Sequence, residues 1–189
     1  MSQCGMIFKE IPELKTLKYF VVLAAASSVA FAQNPLVASQ KVFYGAVAHN
    51  VVAAAEKMPE ENYAFKATPD VRSFGQLVGH TADAQYLFCS TAAGEKPPVT
   101  DIEKTKTSKA DLVQAEKDAV AYCNKVYAGL TDDQATLPVQ MMGREWPKLT
   151  ILTINVAHLD EHYGNMVTYM RLKGLVPPSS EPRKPPTTK

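Results

Sequence analysis

Apolar positions along this chain recur mainly at helical spacing. Asn34-Pro35 supplies a cap and a first-turn residue, and a pattern free of breakers runs on to about Met58. Phe43, Val47, Val51 and Ala54 mark its apolar face. Pro59 to Asp70 (PEENYAFKATPD) reads as a loop, because Pro69 and the acidic pair forbid a clean continuation. A second helix is predicted from Ser73, where Ser73-Phe74-Gly75-Gln76 fits a capping box. Leu77, Thr81, Ala84 and Phe88 make its inner face, and Gly94 closes it. Residues 95–107 (EKPPVTDIEKTKT) read as a polar linker. Ser108 with Asp111 opens a third helix, whose face is Leu112, Ala115, Ala119, Cys123, Val126 and Leu130. After a connection from Thr131 to Trp146, Pro147 starts a fourth pattern that runs to Lys173 and stops at Gly174. No period-2 strand run and no internal repeat is found. The expected fold is all-α, a four-helix bundle over residues 33–176 with two long connections. The proline-rich residues 177–189 are expected to stay disordered.

The N-terminus carries a different signal. Lys15 and Lys18 precede fourteen uncharged residues, Tyr19 to Ala32, that end in Ala30-Phe31-Ala32. A basic flank, a short apolar run and a small-x-small ending describe a secretory signal peptide over residues 1–32. As a helix the run reaches about 21 Å, short of the roughly 30 Å hydrocarbon core, so stable membrane insertion after cleavage is not expected. The expected location is exported, periplasmic or secreted. Cleavage removes three lysines and two glutamates from twenty basic and nineteen acidic side chains, leaving no net charge. With 46% apolar and 21% charged residues, the composition excludes collagen-like, coiled-coil and nucleic-acid-coating proteins. Cys89 and Cys123 would remain in the exported chain. An oxidising compartment permits them to pair, yet Cys123 within an apolar helical face favours a free, buried cysteine.

Only four histidines occur: His49, His80, His158 and His162. His158 and His162, in AHLDEHYG, stand at i and i+4, about 40° apart on one helix face and one turn from each other. They open the edge of the inward arc of the fourth helix. His80, in LVGHTAD, flanks the buried face of the second helix, whereas His49 reads as a half-buried surface residue. Each could be a satisfied core histidine, but three inward imidazoles from two neighbouring helices can also meet at one metal. Neutral imidazole nitrogen suits zinc, nickel, iron or copper, and three ligands leave coordination positions open. Asp83, Glu161 and Tyr163 are candidates for a general base by proximity alone. No nucleophile elbow, paired-cysteine zinc motif, phosphate loop or haem-attachment motif is found.

At these residues the sequence resembles the DinB-like (DinB/YfiT) superfamily of metalloenzymes. FKATPDVRSFGQLVGHTADAQYLFCS, residues 65–90, and ILTINVAHLDEHYGNMVTYMRLKGLVPPSS, residues 151–180, carry the resemblance, and the helix order fits residues 34–176. It implies a bundle that binds a divalent metal through His80, His158 and His162, with zinc or nickel foremost, and a homodimer. Relatives include thiol-dependent S-transferases and isomerases, besides members without known activity. This chain departs in its signal peptide, since the thiol chemistry of those relatives is cytosolic. The expectation is an exported metal-dependent enzyme, a hydrolase or transferase acting on a small molecule and not on nucleic acid. A non-catalytic exported bundle that binds metal, a small molecule or a protein partner is the alternative.

Overall fold

The computed structural model describes residues 34–182, so the predicted signal peptide and residues 183–189 of the predicted tail lie outside the described residues. The chain divides into a unit ending at Pro35 and a compact unit beginning at Leu36. The described residues form four long helices: α1 (Pro35–Lys57), α2 (Phe74–Ala93), α4 (Lys109–Gly129) and α6 (Lys148–Leu172). Between them lie two single-turn helices, α3 (Ile102–Thr105) and α5 (Asp132–Ala135), and a hairpin of β1 (Pro138–Met141) and β2 (Arg144–Pro147). No helix among the described residues is long and apolar enough to cross a membrane.

α2 is the axis of the core. Fourteen of its twenty residues are buried, as expected of a helix packed on several sides. It starts at the predicted capping box, with Ser73 Oγ accepting from the Gln76 amide and the Gln76 side chain accepting from the Ser73 amide. It ends at Gly94, whose φ of +81° suits the left-handed cap. Ser108 caps α4 as read from sequence, accepting from the Asp111 amide. The start of α1 is held from elsewhere in the fold: the Asp132 carboxylate accepts from the Leu36 and Val37 amides at 3.0 and 2.9 Å. Negative charge at a helix N-terminus satisfies free N–H groups and the helix dipole together.

Several expectations are corrected. Phe43 is not in the core: it is 65% exposed, and the buried stripe of α1 runs through Val37, Tyr44, Val47, Ala48, Val51, Ala54 and Ala55. Tyr44 takes the inward position because its ring stacks on Tyr127 and its hydroxyl donates to Gln85 Oε1 at 2.7 Å. The fold is not purely helical. Met142 and Gly143, both at positive φ (52° and 75°), turn β1 into β2 with Val139 opposite Trp146. The strands are four residues each, too short for alternation to stand out in sequence.

The linker 95–107 contains α3, whose Ile102 is buried. Cys89 and Cys123 are not free; they form a disulfide between α2 and α4 with a Cα–Cα distance of 5.4 Å. Both cysteines lie on the faces that these helices turn to each other, which neither helical pattern reveals alone. Residues 177–182 are ordered against the bundle. The Tyr163 hydroxyl donates to Ser179 Oγ and accepts from the Ser179 amide, each at 2.9 Å, and Glu181 pairs with Lys57.

Candidate metal centre

α2 and α6 pack side by side, and each presents histidine at the contact. One helical turn separates His158 from His162 on α6, so both rings reach the same side, where His80 approaches from α2. The three Nε2 atoms converge. His80 Nε2 lies 3.2 Å from His158 Nε2, which lies 3.1 Å from His162 Nε2. One ligand atom from each residue lies within 4.8 Å of the other two. Two nitrogens bound to one tetrahedral zinc at about 2.0–2.1 Å stand about 3.3–3.4 Å apart, so these separations are close to those of a shared ion.

Proton placement supplies an independent test of fit. Glu103 Oε2 lies 3.1 Å from His80 Nδ1, and a carboxylate there accepts the Nδ1 proton and leaves the Nε2 lone pair facing the other rings. The Asn165 amide stands 3.4 Å from His162 Nδ1; turned so that its oxygen faces the ring, it does the same. A neutral His158 can donate from Nε2 to only one of its two neighbours. Its Nδ1 is buried without a hydrogen-bond partner among the described residues. Direct hydrogen bonds therefore cannot satisfy three convergent Nε2 atoms, whereas one divalent cation can. The residues present fit the divalent metal that the family resemblance implies.

Electrostatics keep the rings neutral, the form that binds metal. Burial pushes His158 down to about 4, helped by His162, His80 and Arg72. Burial also lowers His80, with Arg72 adding to the fall and Glu103 opposing it. For His162 burial leads again, then His80, with Glu161 acting the other way.

Glu103 is set in place by α2 itself. The Asp83 carboxylate accepts from the Ile102 and Glu103 amides, both at 2.9 Å, and so caps α3. Gly79 lets α3 come close: a Cβ there would stand 2.7 Å from Glu103 Cα. The second Glu103 oxygen, Oε1, accepts from Arg72 Nε at 2.9 Å. An open cavity of about 710 Å³ adjoins this cluster, with Lys66, Arg72, Glu103, Glu161, His162 and Asn165 in its wall.

Three predicted ligands thus come together, while His49 lies exposed on α1 with no part in the site. Of the base candidates, Asp83 is committed to α3 and Tyr163 to Ser179; Glu161 alone lines the cavity. Sequence reasoning missed Glu103, Arg72 and Asn165. Asn165 stands one turn after His162, a spacing that could have found it. No periodicity marks Glu103, 23 residues from its histidine.

The sequence model of the DinB superfamily matches residues 44–166, which include all three histidines. The chain belongs to the DinB superfamily. Solved DinB-like structures share its fold. A DinB-like protein from Bacillus cereus superposes with a TM-score of 0.64 at 19% identity, over 71% of this chain and 91% of that one. A second, from Bacillus subtilis, gives 0.57 at 24% identity, over 67% and 85%. Among curated proteins, none matches the sequence. Within this DinB fold, β1 and β2 pack against α2 and α6, the two helices that carry the triad.

Proposed function

We propose that this member of the DinB superfamily is an exported metal-dependent enzyme, most simply a hydrolase of a small molecule. In this reading His80, His158 and His162 hold a divalent ion, zinc or nickel foremost. The observation that carries it is the convergence of three neutral imidazoles beside an open cavity, with a carboxylate behind His80. A divalent ion there supplies Lewis acidity toward a water or a substrate atom.

The chain's own residues do the rest. Glu103 holds the proton at His80 Nδ1 and fixes the ring plane. Asn165 plays that part at His162. Glu161, in the cavity wall, is the carboxylate placed to accept a proton from a reacting molecule. The buried Cys89–Cys123 disulfide supports export, because such bonds persist in oxidising compartments.

Elemental analysis of protein purified without a histidine tag tests the reading. Near-stoichiometric metal in the wild type, lost in both His80→Ala and His158→Ala, is the expected result. Wild-type protein that stays metal-free after reconstitution with zinc, nickel, iron and copper in turn would refute it.

A further inference from the structure

Arg72 is the least expected residue in the cavity wall. A metal centre built for a cation has a guanidinium beside it, bound to the same Glu103 carboxylate that meets His80 Nδ1. Arg72 opposes the very ion that the triad would bind. Such a charge needs a counter-charge, and Glu103 supplies only part of it, being shared between Arg72 Nε and His80 Nδ1.

The Arg72 side chain is held at one point, where its Nε donates to Glu103 at 2.9 Å; the rest of it is 41% exposed toward the cavity mouth. The two terminal nitrogens have no hydrogen-bond partner among the described residues. A guanidinium held at Nε by a carboxylate, with its terminal nitrogens turned to solvent, keeps two donors available for a planar two-oxygen anion.

The remaining charges set the valence of that anion. Lys66 and Arg72 face Asp70, Glu103 and Glu161 around the cavity, which leaves one negative charge in excess. A divalent ion on the histidines turns this into one positive charge. A single carboxylate completes the balance; a phosphate dianion overshoots it.

We propose that the cavity beside the triad binds a small molecule through one carboxylate group, gripped by the terminal nitrogens of Arg72 with Lys66 nearby. This rests on the metal-centre reading above, and places another part of the same molecule at the open coordination positions. Arg72 then has two tasks, clamping Glu103 through Nε and recognising substrate through its fork.

The test uses cobalt(II)-loaded protein, titrated with propionate and, as a neutral isostere, propionamide. Calorimetry and the visible cobalt spectrum read the binding. Wild-type protein should prefer propionate, and Arg72→Gln should bind it about tenfold or more weakly while holding the same amount of cobalt. Arg72→Lys, which keeps the charge but loses the fork, should fall between them. If propionate and propionamide bind alike, or if wild type and Arg72→Gln bind propionate alike with cobalt in place, the carboxylate subsite is refuted and the metal centre stands. A change in cobalt affinity alone on Arg72→Gln would mean that Arg72 only clamps Glu103, which also refutes it. Wild-type protein that binds neither cobalt nor any of zinc, nickel, iron and copper would remove the metal centre, and the subsite with it.

Discussion

Gly79→Ala is a one-carbon change that tests whether α3 is a positioning device for His80. The new Cβ would sit 2.7 Å from Glu103 Cα and 3.0 Å from Glu103 N, both backbone atoms that cannot rotate away. Ordinary contact begins near 3.4 Å, so α3 must retreat by roughly 0.7 Å. Carried through to the side chain, that retreat lengthens the 3.1 Å Glu103–His80 contact to about 3.8 Å, beyond hydrogen-bond range. It also strains the two 2.9 Å bonds from the α3 amides to Asp83. Overpacking of this kind costs about 1–3 kcal/mol, and the better helix propensity of alanine returns about 1 kcal/mol.

Net destabilisation should therefore be about 0–2 kcal/mol, with a loss of about 10–100-fold in zinc affinity from the displaced carboxylate. Glu103→Gln separates the two effects. It keeps the backbone in place, so it should lose metal affinity on the same scale with little loss of stability. Both quantities are measurable by competition with a chromophoric chelator and by urea unfolding of the metal-free protein. A Gly79→Ala protein with wild-type zinc affinity would refute the idea that the seat of α3 controls the centre.

Other expectations concern the core. Burial raises the Glu116 carboxyl from 4.5 to about 7, against hydrogen bonds from Thr81 and Gln85 that favour its charged form. A folded pKa above the unfolded one contributes stability that is complete below pH 4.5 and is lost as pH rises through about 7. Relative to Glu116→Gln, wild-type metal-free protein should lose about 3 kcal/mol between pH 4.5 and pH 8; a pH-independent difference would contradict a buried neutral acid. The disulfide closes a loop of 34 residues, so its reduction or Cys89→Ser with Cys123→Ser should cost about 4 kcal/mol, read as a lower unfolding midpoint. Zinc should raise the melting temperature of wild type and His49→Ala but not of His158→Ala, and equal responses of the two variants would sink the ligand assignment.

Much of this protein is legible in short stretches of sequence, wherever the deciding interaction is local. Ser73 and Gln76 cap the same turn that they belong to, and so do Ser108 and Asp111. His158 and His162 share a face because four residues make about one helical turn, whatever surrounds them. That the helices associate follows from their apolar faces. Which residue of α1 enters the core does not, and Tyr44 displaces the expected Phe43 because its partners Gln85 and Tyr127 lie on other helices.

The same limit explains the site. Helical periodicity fixes where a histidine stands on its own helix, and so could bring the triad within sight. Periodicity carries no information about a segment such as 95–107, whose place is decided by a glycine that leaves room and an aspartate that caps it from α2. The Glu103–His80 and Arg72–Glu103 contacts, the disulfide and the Asp132 cap on α1 all join groups tens of residues apart. Their energies depend on distances that exist only after the helices have packed. Sequence alone determined the four long helices and the candidate histidines; the packed structure decided what stands behind those histidines and what charge the cavity offers.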